Sequence, residues 1–150
     1  MVKKSMNFLC LLLFLIFALV VCALQKFQRG TVISPEKGFS RIEWTKEEKA
    51  QDLGVRTIRQ TKQASYHLIR LKGVEKPHVH DTHDLVVFIL SGNGIIHFDK
   101  HSTKIKPGDV IEIPQGEIHW GENTGSLPCE LYAVFTPPFD GKDHREIKNK

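Results

Sequence analysis

The chain has 150 residues, 41% hydrophobic and 25% charged, which suits one globular domain with a real core and excludes a disordered chain. Its formal charge of +4 is mild and includes Lys3 and Lys4 of the N-terminal segment. No basic stripe interleaved with aromatic residues follows, so the composition predicts no nucleic-acid partner.

Residues 1–23 form a separate object. Lys3 and Lys4 precede an apolar run from Phe8 to Leu24, and a positive start followed by such a run reads as an export signal. Val21 and Ala23 sit at −3 and −1 of a signal-peptidase cut before Leu24. Two rival readings stand beside this one. The run falls just short of the ~20 residues that span a bilayer, which leaves an uncleaved anchor open. "LVVC", ending at Cys22, resembles a bacterial lipoprotein box, with Val21 where a small residue is usual. All three place the folded part outside the cytoplasm, with membrane contact confined to residues 8–24. Cys10 and Cys22 belong to this segment, so Cys129 is alone in the remainder and no internal disulfide is expected. Cys129 reads as a small packed residue at a strand start after Pro128.

Residues 24–64 read as a lead-in. Gly30, Pro35 and Gly38 predict extended chain, and "TKEEKAQDLG" predicts a short helical turn or a loop. From Ser65 the pattern changes. "SYHLIRL", "DLVVFIL", "GIIHFD", "STKIK", "DVIEIP" and "CELYAVF" are short runs rich in Val, Ile, Phe and Tyr. Between them stand "KGVEKP", "SGNG", "DKHS", "KPGD", "PQGE" and "ENTGSLP", all turn-forming clusters. Short strands at this spacing predict an all-β sandwich or barrel over residues 65–139. Residues 140–150 carry charges of both signs and read as a solvated tail.

His78 and His80 are two apart, a spacing that sends both imidazoles to one face of a strand. Two neutral imidazoles on an inner face are half of a transition-metal site. His119 follows a tight turn at Pro114 and Gly116 and supplies a third. At this point the chain resembles the cupin superfamily, whose second motif, G-x5-P-x-G-x2-H-x3-N, is matched by Gly108, Pro114, Gly116, His119 and Asn123. The first motif, G-x5-H-x-H-x3–4-E-x6-G, is matched by His78, His80 and Gly92, with Gly73 one residue closer than the pattern asks.

The resemblance implies a single-domain cupin β-barrel, a double-stranded β-helix or jelly roll. It further implies a divalent transition metal (Fe, Mn, Zn or Ni) held by His78, His80 and His119. The motif glutamate is where the chain departs, because its position falls on Leu85. Regular strand parity turns Leu85 and His83 inward and Asp84 outward, whereas a bulge near Asp84 would offer that carboxylate to the metal. The fourth ligand is thus Asp84, His83 or absent, with Asp84 equally suited to a turn with Thr82. His67, His101 and His144 read as surface residues, His97 as a satisfied structural histidine, and Trp120 as packing at the barrel mouth. Glu117, His97 and Tyr132 are general-base candidates by position only. The expected partner is a small-molecule substrate or ligand, and the fold is compatible with a homodimer. An exported oxygenase or isomerase and a non-catalytic metal- or ligand-binding cupin are the two functional readings.

Overall fold

The computed structural model describes residues 30–34, 38–40 and 43–148, so the readings of the N-terminal leader lie outside the described residues. Among the described residues no helix is long and apolar enough to cross a membrane. A short hairpin, β1 (Val32–Ser34) with β2 (Gly38–Ser40), precedes one turn of helix, α1 (Lys46–Ala50). Thr45 starts that helix with a capping box: its side chain accepts from the Glu48 amide, and the Glu48 carboxylate accepts from the Thr45 amide. The expected helical turn is therefore present.

Ten strands follow: β3 (Leu53–Gln60), β4 (Ser65–Leu71), β5 (His78–Val79), β6 (Asp84–Ser91), β7 (Gly94–Phe98), β8 (Ser102–Ile105), β9 (Val110–Ile113), β10 (His119–Asn123), β11 (Cys129–Thr136) and β12 (Arg145–Glu146). They make two five-stranded antiparallel sheets, ordered β12-β5-β10-β7-β8 and β3-β4-β11-β6-β9. This is the all-β architecture that the short apolar runs predict and the jelly roll that the resemblance implies, and all six of those runs are strands. β3 lies within residues 24–64 and β12 within residues 140–150, so the segments read as lead-in and tail each contribute a strand. β3 escapes a pattern search because it is an edge strand with most of its residues exposed, which blurs the period-two signal.

The core lies between the sheets. Leu85, Val87 and Ile89 of β6 meet Ile96, Ile105, Ile111, Ile113, Ala133 and Phe135, alternate residues of their strands. A second apolar cluster covers the outer face of the β11 sheet, where Trp44 packs with Leu68 and Leu90. The Trp44 indole N–H donates to Glu130 Oε1 at 3.0 Å, and the Arg56 guanidinium lies 5.1 Å from its ring centre. Gly92, at φ +86°, lets the β6–β7 turn pass against β11, because a Cβ there would stand 2.7 Å from Cys129 Cα. Cys129 itself is buried, its thiol donates to the Asn93 carbonyl at 3.2 Å, and burial pushes its pKa up to about 11. It is the packed cysteine expected, not a reactive one.

Trp44 joins the chain before the barrel to the barrel itself. Trp44→Ala is expected to lower stability by about 3 kcal/mol, the usual cost of removing a buried aromatic side chain. Urea unfolding of the two proteins checks this.

Candidate metal centre

Antiparallel pairing of β5 with β10 sets His78 directly opposite His119. His80, two residues on, projects to the same side. The tight turn before β10 is tied to it, because the Gly116 amide donates to the His80 carbonyl at 2.7 Å. Gly116 has φ +80°, which a side-chain-bearing residue would adopt only with strain. The three imidazoles are buried, and they offer ligand atoms all within 4.8 Å of one another.

Each of the three rings donates from Nδ1 to a backbone carbonyl. The acceptors are Lys76 O for His78 (2.9 Å), Asp143 O for His80, and Glu117 O for His119 (2.9 Å). A carbonyl can only accept, so the proton of each neutral ring sits on Nδ1 and the Nε2 lone pair is bare. Burial lowers the pKa of all three below that of free histidine, and that of His119 to about 4. Three neutral imidazoles with oriented tautomers and convergent lone pairs make a donor set suited to a transition metal.

Asp84 is not part of this centre. Pairing is regular on both sides of it, with Leu85 opposite Phe135 and Ile113, and no bulge reverses its direction. The register shift in this strand pair lies at its other end, between Glu130 and Leu131. Asp84 is exposed, and its Oδ1 accepts from the Gln115 amide at 2.9 Å. Of the alternatives left open for the fourth ligand, Asp84 is corrected on that ground: it faces away from the three histidines. His83 is buried, but both of its ring nitrogens are directed to partners outside the cluster: Nδ1 faces Asp143 Oδ2 and Nε2 faces the Pro138 carbonyl at 3.3 Å. Leu85 points inward and lines the cavity beside the histidines.

Other histidines divide differently from the sequence reading. His101 is exposed as expected. His67 is buried, because it lies on the inward alternation of β4, with its ring nitrogens against Ser65 Oγ (2.8 Å) and Thr57 Oγ1 (3.1 Å). His144 is exposed, yet its ring stacks on His78 with centres 4.2 Å apart. His97 is satisfied by Ser102 and Glu122 and stacks flat on Trp120.

Three residues near the centre had no signal in the sequence. Asp143 accepts from the amides of Asp81 and Thr82, from the Thr82 hydroxyl and from His83, and so fixes the turn after His80. Burial opposes its ionisation, but these donors outweigh it and hold the carboxyl well below the usual range. His144 follows it in the same segment. Glu75 stands before the His-x-His pair, where its Oε2 accepts from the Gly121 amide at 2.8 Å and burial raises its pKa. Nothing in the periodicity of "KGVEKP" or of the charged C-terminal segment marks them, since each acts through contacts distant in sequence.

The centre opens onto a cavity of about 150 Å³ between the two sheets. A buried set of three histidines that could hold a metal ion, inside a jelly-roll interior, defines the class: a β-barrel of the double-stranded β-helix type. Residues 67–135 match the Cupin_2 cupin-domain family. An uncharacterised protein of Aquifex aeolicus is 36% identical over 103 residues, which are 69% of this chain and 84% of that protein. The chain belongs to the cupin superfamily. An oxalate-binding protein of Thermotoga maritima is 39% identical over 58 residues, 39% of this chain and 48% of its own length. Among solved structures, KdgF from Halomonas sp. superposes with a TM-score of 0.57 at 17% identity, covering 74% of this chain and 96% of that one, a likeness of fold.

The depressed histidine pKa values fix the sign of a pH effect. The unfolded chain takes up protons on these residues near pH 6.5 and the folded chain resists, so stability is full above pH 6.5 and is lost as pH falls toward 4. Metal-free protein is expected to show a melting temperature that drops across this window. His119→Gln, which does not titrate there, is expected to flatten the drop in the same thermal scans.

Proposed function

We propose that this chain is an exported, metal-dependent cupin that holds a divalent transition metal, Fe, Mn, Zn or Ni, through Nε2 of His78, His80 and His119. It acts on a small molecule in the adjoining cavity, with oxygenase or isomerase chemistry as the reaction class. The observation that carries this reading is the shared orientation of the rings: all three Nδ1 protons go to backbone carbonyls, which leaves three bare Nε2 atoms together. With three protein ligands, a bound ion keeps open positions and supplies Lewis acidity or dioxygen activation. The protein's own part is to keep the rings neutral, fix their tautomers and exclude bulk water with the apolar walls of the cavity. Export or anchoring through residues 1–24, a homodimeric assembly and the absence of a nucleic-acid partner belong to the same proposal. The leader pattern supports the first of these and the mild charge the last.

One observation favours a second reading. Leu85 occupies the inward position that carries a carboxylate in the cupin motif, which suits a non-catalytic cupin that binds a small ligand or a metal and performs no reaction. Turnover of any substrate by the metal-loaded protein separates the two.

Metal content is expected to fall at least tenfold in His78→Ala, His80→Ala and His119→Ala and to stay unchanged in His101→Ala, by elemental analysis of the purified proteins. Equal metal in all four variants would remove the assignment.

The register makes a second prediction. Leu85→Glu is expected to add an inward oxygen donor and tighten Mn²⁺ binding, since carboxylates suit that ion. Asp84→Ala is expected to leave Mn²⁺ affinity within about twofold, because its carboxylate faces Gln115 on the outside. Titration of Mn²⁺ into both variants reads the result.

A further inference from the structure

We infer that the cavity beside the histidines takes a small, uncharged, mostly hydrocarbon molecule about the size of one six-membered ring, whose single polar oxygen meets Glu75. This rests on the reading of the three histidines as a metal site and names the class of ligand that site serves.

Size comes first. The cavity measures about 150 Å³, and a protein cavity of that volume with Leu, Ile and Phe walls accommodates benzene. Its walls here are of the same kind, with Ile69, Leu71, Ile96, Ile111, Leu131 and Phe139 among them. Among the described residues lining it there is no Lys or Arg, so away from an ion held by the three histidines a carboxylate or phosphate would find no counter-charge. There is also no Ser, Thr, Asn, Gln or Tyr, so a sugar would leave most of its hydroxyls desolvated and unpaired.

Polarity comes second. Apart from the three histidines of the centre, the wall carries Glu75, His67, Glu122, Cys129 and the exposed His144. His67 is held by Ser65 and Thr57, Glu122 by His97 and Cys129 by the Asn93 carbonyl, and Glu75 is the carboxylate tied to the wall itself. Its main-chain amide donates to the Gly121 carbonyl at 2.9 Å, and its Oε2 accepts from the Gly121 amide at 2.8 Å, so both backbone groups of Gly121 hold it. Gly121 also makes the room. A Cβ at that position would stand 2.9 Å from Glu75 Oε2 and 3.0 Å from Leu71 Cδ2. Among the described residues Oε1 makes no hydrogen bond, which leaves one carboxyl oxygen for a ligand hydroxyl. A single hydrogen-bonding group on an apolar wall orients a ligand and discriminates by the presence of one oxygen.

The test uses the full-length chain. Zn²⁺, which undergoes no redox chemistry, is titrated first, and its uptake is measured separately from ligand binding. Phenol, toluene and glucose are then titrated into the Zn²⁺-loaded protein, and oxalate, which would coordinate the ion directly, into the metal-free protein alongside phenol, by calorimetry and ligand-observed NMR. Phenol is expected to bind saturably, at least tenfold more tightly than glucose or oxalate and several-fold more tightly than toluene. Glu75→Leu is expected to erase the preference for phenol over toluene while toluene still binds. Glu75→Gln, which keeps a hydrogen-bonding group, is expected to retain part of it. Gly121→Ala, by displacing the carboxyl, is expected to act in the direction of Glu75→Leu, which covers the case of a leucine variant that does not fold. Tighter binding of oxalate or glucose than of phenol overturns the ligand class. An unchanged phenol preference in the Glu75 and Gly121 variants overturns the role of Glu75. Failure of Zn²⁺ uptake with phenol still bound removes the metal reading and leaves the cavity assignment standing.

Discussion

The organisation of this protein depends on one strand pairing, the register that sets His78 opposite His119. β5 is only two residues long and makes few hydrogen bonds of its own. It is held from three directions: by β10 on one edge, by β12 on the other, and by the Gly116 amide on the His80 carbonyl. Shifting that register by one residue would turn Val79 toward the cavity and both histidines away from it.

Three buried imidazoles are a poor way to stabilise a fold. Each loses hydration that protonation would reward in the unfolded chain, and each displaces apolar volume from the core. The structure offsets this by satisfying one nitrogen of every ring with a backbone carbonyl. The arrangement is therefore stable as a neutral site near pH 7 and strained in acid.

The segment after the barrel is as much a part of the site as the strands. Asp143 binds the turn that follows His80, its carbonyl orients the His80 ring, and His144 stacks on His78. Arg145 adds a two-pronged contact to Asp81, and Lys76 pairs with Glu146. These exposed ion pairs contribute little to stability individually, but together they keep the strap in register with β5. The ring orientations that make the histidines ligands therefore depend partly on residues that belong to no motif.

Much of this was legible in the residues alone. The alternation of Val, Ile and Phe between turn clusters defined six strands, and the spacing of His78 and His80 put both on one face, because both are short-range patterns with a fixed period; His119 joined them through the resemblance to the second cupin motif. Parity along "THDLVV" already favoured Leu85 over Asp84 as the inward residue, but parity holds only for an unbulged strand, and pairing with β9 and β11 is what keeps it so. The remainder was decided by tertiary structure. His67 reads as polar and exposed, yet the inward side of β4 and the hydroxyls of Ser65 and Thr57 make it a buried residue. Glu75, Asp143 and His144 have no local signature, since their roles arise from partners that only folding brings near: Gly121 for the first, the turn after His80 for the second, and the His78 ring for the third. Periodicity along a chain determines which face a side chain takes, while what it meets there is set by which strands lie beside it.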